Sequence, residues 1–395
     1  MIEVRKATYQ ETNMGIRKIA ILTHNVEGGA FANLSTSLAR GFNQLGIASD
    51  VVVLNATEAD KLRYPDVHIV SLGARRTILS VQQTRRYLQE QQPDVIFPMP
   101  WYFNVIAIWA RAFTQSQTKI IIGEHNVCSL EASIEHKNNP RIRYILPMLM
   151  RYTYPYGDGL IGVSQDTITD LLANFKIPPV IPMCAIPNPI DPERIQQLLA
   201  EPLDHPWFQD STIPVVLTVA RLAKQKQLEG LLHAFAQVVK TLPARLVILG
   251  EGVLRGKLES LCQQLGIAAS VAMPGFDHNP YRYMSRCGVF VLASAWEGCP
   301  ISLQEAMSCG AAVIVNDAPG GSKDVVEYGK SGMMVPNGNV DALAAGIIKL
   351  LSDRALRQDY QQKAKQRSQD FHYLKISQQY LEFYESLHQL KENLQ

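Results

Sequence analysis

Two carboxylates stand eight residues apart after an apolar run in the second half of the chain. The run 288–293 is typical of a strand, and Glu297 and Glu305 follow it. Pro300 suits the first turn of a helix, because a missing N–H group has little effect there. This placement leaves Glu297 in a loop and carries Glu305 about 7 Å further along the helix axis. The two carboxylates can therefore reach opposite ends of one extended ligand.

The backbone between these carboxylates offers hydrogen-bond donors to an anion. The first N–H groups of a helix have no helical partner, and the helix dipole places about half a positive charge beside them. We therefore expect the segment to bind a diphosphate. The segment runs from Gly298 to Leu303 and includes Pro300. The N–H groups predicted to be free are those of Cys299, Ile301, Ser302 and Leu303.

Cations follow another strand-like run in the same half of the chain. The run 215–219 leads into a loop that carries Arg221, Lys224 and Lys226. In an open α/β sheet, ligands bind outside the carboxyl ends of the strands, where such loops meet. Arginine grips a phosphate with two hydrogen bonds, and lysine acts as a point charge. The loop therefore predicts electrostatic stabilisation of a departing phosphate.

Two sets of short β-rich runs, separated by stretches long enough for helices, must position these loops. The first half carries such runs at 18–22, 50–54, 68–72, 94–97, 119–122 and 160–163. After a proline-rich stretch the rhythm restarts at 215–219, 245–249, 288–293 and 311–315. The alternation is typical of parallel α/β sheets. We predict two doubly wound, Rossmann-like domains that face each other across a cleft.

The proline-rich stretch sets the predicted domain bounds. Segments 186–192 and 201–206 contain too much proline for a helix or a central strand. Beyond residue 370, apolar residues recur at helical spacing. The predicted parts are an N-terminal domain over 1–190, a linker over 191–212, a C-terminal domain over 213–370 and a final helix over 371–395.

Composition narrows the class of partner. A chain of 395 residues with 47% apolar and 19% charged residues is typical of a globular protein. The formal net charge of +2 gives no global attraction for nucleic acid, so nucleic acid is not an expected partner. Six scattered cysteines without a Cys-x-x-Cys pair indicate free thiols, and the polar first residues indicate no secretion signal. We expect a cytoplasmic protein.

Four segments together resemble the retaining glycosyltransferases of family four, whose two-domain fold is called GT-B. One is the E-x7-E motif formed by Glu297 and Glu305. The others are residues 275–281 before it and residues 318–322 and 332–336 after it. The resemblance covers roughly residues 17 to 390, and the four segments are specific in combination.

The resemblance implies roles for the residues of the C-terminal half. Glu305 would bind the ribose hydroxyls of a nucleotide-sugar donor, and Glu297 would lie beside the donor sugar. Arg221 and Lys226 would bind the donor phosphates. The C-terminal domain would thus hold the donor, and the N-terminal domain would lie on the acceptor side.

The resemblance also implies roles for residues outside these two loops. A glycine turn in the N-terminal domain would approach the donor phosphates or the acceptor. The turn contains Gly28 and Gly29. In the segment 124–126, His125 would lie near the reacting sugar. Gly275 and Phe276 would lie near the donor base and help to select that base.

The cation loop departs from the family pattern at one position. Gln227 stands where the family commonly has a glycine, so the resemblance leaves the backbone path of this loop open. Lys226 is preferred to Lys224 as the phosphate ligand on spacing alone.

The implied reaction transfers a sugar with retention of its anomeric configuration, and a donor phosphate oxygen takes the acceptor proton. We expect a hexose or N-acetylhexosamine donated by a nucleotide diphosphate-sugar, with UDP preferred. The acceptor would be a hydroxyl of a glycan, a polysaccharide or a lipid-linked precursor. Because Asp158 and Asp166 lack the Asp-x-Asp spacing of a metal site and the loop supplies cations, we expect no metal and no cofactor.

Several alternatives stay open at this level. A nucleotide-sugar epimerase would use similar phosphate contacts, and a catalytically silent subunit would bind the same ligand. The carboxylate pair is also compatible with surface charge, and His125 with a structural histidine. The segment 141–152 is compatible with docking on an anionic membrane or with a partly buried helix. The C-terminal stripe is compatible with an oligomer interface or with packing onto the N-terminal domain.

Overall fold

The computed structural model describes residues 15–26, 29–74, 76–77, 80–135, 139, 144–210 and 212–392. Contacts divide the chain into two compact units, of which the first comprises Met1–Gly123, Tyr156–Leu160 and Tyr373–Gln395 and the second Glu124–Pro155 and Ile161–His372. The bounds of these units differ from those of the domains predicted from the sequence. Residues 124–155 and 161–190 group with the second unit, in which Asn188 donates a hydrogen bond to the Cys299 carbonyl.

The strands of the first half form one sheet. Its strands are β1 (Lys18–Thr23), β2 (Ala48–Val53), β3 (His68–Ser71), β4 (Val95–Pro98), β5 (Lys119–Glu124), β6 (Gly159–Gly162) and β7 (Met183–Ala185). Within the described residues their order is β3-β2-β1-β4-β5-β6-β7, and β1 to β5 pair in parallel. The central strands β1 and β4 are apolar and almost wholly buried, as expected where helices cover both faces of a sheet.

The strands of the second half form a second parallel sheet. They are β8 (Val215–Val219), β9 (Arg245–Leu249), β10 (Val271–Gly275), β11 (Val289–Leu292), β12 (Val313–Asp317) and β13 (Met333–Pro336). Their order in the described chain is β10-β9-β8-β11-β12-β13, with every pair parallel. Both strand orders are doubly wound, which confirms the predicted α/β fold class.

Helices lie between the strands and beyond the last of them. In chain order they are α1 (Ala30–Gln44), α2 (Glu58–Arg63), α3 (Ser80–Gln91), α4 (Trp101–Ala112), α5 (Cys128–Leu130), α6 (Leu146–Thr153), α7 (Gln165–Ala173), α8 (Pro192–Leu198), α9 (Pro206–Gln209), α10 (Leu228–Thr241), α11 (Arg255–Gln264), α12 (Tyr281–Met284), α13 (Ile301–Ser308), α14 (Ser322–Val325), α15 (Val340–Ser352), α16 (Arg354–Ser368) and α17 (Tyr373–Glu392). None of the described helices is long and apolar enough to cross a membrane.

Helices α1 and α17 pack together within the first unit. Leu34, Leu38 and Phe42 form the buried stripe of α1, and the chain turns out of the helix near Gly46, whose φ is +83°. The Tyr380 ring of α17 lies 6.5 Å from the ring of Phe42. The apolar stripe of the C-terminal helix is therefore covered by packing inside this unit.

The cationic segment 141–152 is described only in part. Residues 141–143 lie outside the described residues. In α6, Leu146 and Met150 are buried, whereas Met148 and Tyr152 are exposed. The described part is thus a half-buried helix with one exposed apolar side.

Candidate active site

The two predicted loops meet at the point where the strand order of the second sheet reverses. The cation loop, residues 220–227, follows β8, and the carboxylate loop, residues 293–300, follows the neighbouring strand β11. The N–H of Ala295 donates to the Gln225 carbonyl at 2.8 Å, and the Gln225 amide donates to the Trp296 carbonyl at 3.0 Å. Such a reversal is where open α/β sheets bind ligands.

Lys226 and Glu297 form an ion pair where these loops meet. The Lys226 ammonium contacts Glu297 Oε1, which also accepts a hydrogen bond from Ser294 Oγ at 2.6 Å. The two charged side chains are only 15% and 9% exposed, so water screens the pair little. Lys224, the alternative considered from the sequence, is exposed. The structure therefore brings Lys226 to the carboxylate.

A glycine turn, residues 318–322, holds the backbone that carries Glu297. The N–H of Gly321 donates to the Gly298 carbonyl at 2.7 Å. Gly320 has a φ of +105°, and a Cβ atom there would overlap the Glu297 carbonyl oxygen. Only glycine satisfies both conditions. This segment of the family pattern thus fixes the position of the first carboxylate.

Arg221 extends from the same loop towards solvent. Its side chain is two-thirds exposed, and its guanidinium donates to Gln225 Oε1 at 3.3 Å. It also lies 3.8 Å from the carboxylate of Glu135, a loose ion pair. Because the guanidinium is exposed and the separation is wide, the pair contributes little stability and an incoming anion can compete for the guanidinium.

The backbone of Gln227 takes the left-handed conformation, with φ +45° and ψ 37°. This conformation strains every residue except glycine, which explains physically why a glycine suits the position. The Asn316 amide donates to Gln227 Oε1 at 3.3 Å. The path that the sequence left open is therefore a left-handed turn from Lys226 into α10.

Glu305 lies on α13 with its side chain largely buried. Tyr281, at the start of α12, donates its phenolic hydrogen to Glu305 Oε1 at 2.9 Å. Burial and the neighbouring carboxylate raise the pKa of Tyr281 well above its usual value, so the phenol stays a donor. Tyr281 belongs to the segment 275–281, which the sequence singled out without giving this residue a role.

The start of α13 differs from the prediction in two respects. Pro300 precedes the helix as its cap, and the first helical residue is Ile301. The N–H of Leu303 donates to the Pro300 carbonyl at 3.1 Å, so the expectation that this N–H is free is wrong. The N–H groups of Ile301 and Ser302 stand in the first turn, where a helix offers no partner. Burial raises the pKa of the Cys299 thiol to about 12, so it stays neutral.

His125 and the carboxylate segment are joined through Asn188. Asn188 Oδ1 lies 3.3 Å from His125 Nδ1, and its amide nitrogen donates to the Cys299 carbonyl at 2.7 Å. The Gln304 amide of α13 donates to the Asn188 main-chain carbonyl at 2.9 Å. Sequence reasoning missed Asn188, and its only signal was its position between two prolines.

The His125 main chain also lies directly against the E-x7-E segment. A Cβ atom on Gly298 would overlap the His125 carbonyl oxygen. Burial lowers the pKa of His125 to about 4, so its ring is uncharged at neutral pH. The structure thus brings His125, Glu297 and the start of α13 into one cluster inside the second unit.

The other predicted residues that the structure describes stand at the ends of other elements. Gly29 caps α1 in the first unit with a φ of +88°, and Gly28 lies outside the described residues. Gly275 ends β10 with a φ of +97°, and its carbonyl accepts from the Gly250 N–H at 2.8 Å. Phe276 is 60% exposed. In the described part of the chain, no group of three or more His, Cys, Asp or Glu side chains is placed to hold a metal ion.

Two family models match successive parts of the chain. Residues 32–194 match the family described as Glycosyltransferase Family 4. Residues 203–367 match the family described as Glycosyl transferases group 1.

Two Campylobacter jejuni proteins are similar over most of the chain. One, named N-acetylgalactosamine-N,N'-diacetylbacillosaminyl-diphospho-undecaprenol 4-alpha-N-acetylgalactosaminyltransferase, is 34% identical over 281 residues, which are 71% of this chain and 73% of that protein. The other, an alpha-1,4-N-acetyl-D-galactosaminyltransferase whose name specifies a GalNAc-GalNAc-diNAcBac-PP-undecaprenol, is 27% identical over 301 residues. That match covers 75% of this chain and 76% of the relative.

Solved structures show the same fold at low sequence identity. Sucrose-phosphate synthase from Thermosynechococcus elongatus has a TM-score of 0.76 at 18% identity and covers 95% of this chain and 100% of its own. Anabaena HepE in complex with UDP and glucose has a TM-score of 0.74 at 19% identity, covering 94% and 100%. The chain therefore belongs to the family 4 glycosyltransferases with the GT-B fold, and it is a glycosyltransferase, as the motifs predicted.

Proposed function

We propose that the chain transfers an N-acetylhexosamine or a hexose from a UDP-sugar to a hydroxyl of a lipid-linked glycan precursor, with retention and without a metal. The observation that carries the proposal is the buried Lys226–Glu297 pair at the start of α13, with Glu305 further along the same helix. The two Campylobacter relatives are named for N-acetylgalactosamine and for undecaprenol-linked glycans, which favours this sugar and acceptor.

Glu305 is suited to hold the ribose of the donor. A carboxylate accepts hydrogen bonds from two adjacent hydroxyls, and the Tyr281 phenol keeps this carboxylate oriented. Because Tyr281 is neutral, it donates to one carboxylate oxygen and leaves the other oxygen of Glu305 able to accept. Ribose binding at this end would leave the diphosphate towards the first turn of α13.

The first turn of α13 and the cation loop would hold the diphosphate. The N–H groups of Ile301 and Ser302 and the guanidinium of Arg221 supply donors of the type that phosphates prefer. Lys226 is engaged with Glu297, and a diphosphate beside it would share its charge. These groups stabilise the negative charge that grows on the leaving group as the sugar departs.

The chemistry then needs no protein nucleophile. The bond between C1 of the sugar and the diphosphate oxygen breaks, and the acceptor oxygen bonds to C1 on the same face. The acceptor proton passes to an oxygen of the departing diphosphate. Glu297, held by Lys226 and Ser294, would lie by the sugar, where positive charge develops. His125, uncharged at neutral pH, would act there as a hydrogen-bonding group.

Donor binding is tested first by thermal shift with UDP-, GDP- and ADP-sugars in the presence of EDTA. A ligand that binds only the folded state raises the melting temperature. We expect a rise with a UDP-sugar that Glu305→Ala abolishes. The matched control is Glu382→Ala, which removes an exposed helical carboxylate of α17 and should leave the shift intact.

Transfer is tested by supplying UDP-N-acetylhexosamines and UDP-hexoses with an undecaprenol diphosphate-linked glycan. We expect a longer glycan whose new linkage keeps the configuration of the donor, at the same rate with and without EDTA. An inverted linkage would refute retention, and loss of turnover in EDTA would refute metal independence. Donor binding without transfer to any glycan would instead favour a silent binding subunit.

A further inference from the structure

Asn188 is held rigidly between the two parts of the candidate site. Pro187 and Pro189 flank it, and a following proline confines a residue to extended backbone. The N–H groups of Ile186 and Ile190 are both hydrogen-bonded to main-chain carbonyls, at 2.9 and 2.8 Å. The residue is only 5% exposed. Its side chain therefore has little freedom to choose other partners.

The contacts of Asn188 determine which end of its amide faces His125. The Cys299 carbonyl lies 2.7 Å from the amide nitrogen, and a carbonyl can only accept a hydrogen bond. The NH₂ group must therefore point to Cys299. The amide oxygen then faces Nδ1 of His125 at 3.3 Å.

The orientation of the amide in turn determines the tautomer of the histidine. An amide oxygen can only accept, so Nδ1 of His125 must carry the hydrogen. A neutral imidazole carries one N–H and one lone pair, which places the lone pair on Nε2. The low pKa of His125, caused by burial, keeps the ring in this neutral form.

Acidic side chains of this region are themselves hydrogen-bonded or ion-paired. The carboxylate of Glu124 accepts from the Tyr154 hydroxyl and from the Cys128 thiol. Glu131 accepts from the Asn126 amide, and Glu297 pairs with Lys226. At His125, burial lowers the pKa and the Asn188 bond acts in the opposite direction. The contact with Asn188 Oδ1 is the one that requires a hydrogen on Nδ1.

We propose that Asn188 is a positioning residue that fixes His125 in the tautomer protonated at Nδ1, so that Nε2 serves as a hydrogen-bond acceptor. An acceptor nitrogen binds a sugar hydroxyl and rejects phosphate oxygens, which have no hydrogen to donate. His125 would therefore contact the donor sugar and not the diphosphate. This last step rests on the proposed function, whereas the tautomer is a property of the protein without ligand.

The tautomer is tested by ¹⁵N NMR of the histidine rings in the full chain without donor. His125→Gln assigns the signal among the nine histidines. We expect His125 to be protonated at Nδ1 across neutral pH and to shift towards the Nε2–H form in Asn188→Ala. Finding the Nε2–H form in the wild type, or no change in the variant, would overturn the proposal.

Two further variants distinguish a positioning role of Asn188 from a general loss of structural stability. Asn279→Ala is the matched control, because this asparagine is also buried and donates to the Leu198 carbonyl at 2.8 Å. It should leave the His125 signals unchanged, and a change there would contradict the proposal. Should Asn188→Ala fail to fold, Asn188→Gln keeps an amide but moves it by one methylene from the contacts with His125 and Cys299. It should also shift His125 towards the Nε2–H form, and an unchanged tautomer would contradict the proposal.

Kinetics then distinguish this inference from the proposed function. In Asn188→Ala we expect kcat to fall by up to about a hundredfold with little change in KM for the donor. The reason is that the lone pair of His125 would no longer lie on Nε2. An equal loss in kcat and donor affinity would point to a merely structural residue. If the wild type turned over no donor, the proposed function would fail while the tautomer result stood.

Discussion

The loop end and the helix end of the E-x7-E segment carry the same residue in different environments. At the loop end, Glu297 is paired with the Lys226 cation, and its backbone packs directly against Gly320. At the helix end, Glu305 accepts from the neutral phenol of Tyr281. A carboxylate held by a cation suits a place beside developing charge, and one oriented by a hydrogen-bonding phenol suits hydroxyl binding. We therefore expect the loop end to control kcat and the helix end to control donor affinity.

The largest effect is expected for Lys226→Ala at the loop end. The change removes the cation that we propose lies beside the leaving group, and loss of one such preorganised group lowers kcat about a hundred- to a thousandfold. It also leaves the buried Glu297 unpaired, which lowers the free energy of unfolding by about 3 kcal/mol. Steady-state kinetics and urea unfolding measure the two effects. Lys224→Ala, which removes the exposed neighbouring cation, should do neither. Equal losses in both variants would mean that the loop acts only through its net charge.

Gly298→Ala should damage the loop end through packing. The new methyl group would meet the His125 carbonyl oxygen, and the backbone shift required should destabilise the protein by about 1–3 kcal/mol. Urea unfolding measures the loss. Gly256→Ala on α11 is the control, because its Cβ meets nothing within 4 Å and alanine favours helix. A harmless Gly298→Ala would show that the close approach to His125 is not required.

Tyr281→Phe should change the helix end alone. Without the phenol hydrogen, Glu305 loses a hydrogen bond that orients it, and we expect donor affinity to fall about tenfold while kcat changes little. Donor titration and initial rates give both values. Tyr283→Phe in the same helix, which loses a hydrogen bond to Asp277, serves as the control and should bind donor normally. A fall in kcat with unchanged affinity would reverse the roles assigned to the two ends.

The smallest effect is expected for Gln227→Gly in the cation loop. Glycine relieves the left-handed strain but loses the hydrogen bond from Asn316, so stability should change by less than about 1 kcal/mol. Gln227→Val should instead lose about 1–2 kcal/mol, because a branched side chain resists this conformation. Thermal unfolding of both variants shows whether each substitution raises or lowers the stability of the protein. A stable valine variant would show that the turn can take another path.

Three of the four strands at the edges of the described sheets, all but β3, were missed from the sequence. The apolar runs predicted β8, β9 and β11, which lie inside the second sheet with both faces covered. The unpredicted strands β7, β10 and β13 all lie at sheet edges and are partly exposed. Because an edge strand has one unpaired side and meets water, it needs no continuous apolar run.

The family, the doubly wound sheets and the two loops at the strand reversal follow from the order of residue types along the chain. Apolar periodicity and motif spacing are local properties, so they can be read without coordinates. The pairing of Lys226 with Glu297, the hydrogen bond from Tyr281 to Glu305 and the bridge at Asn188 were decided only by the tertiary structure. Each of these contacts joins residues that lie far apart in sequence, and spacing carries no information about which distant side chain folding brings into reach.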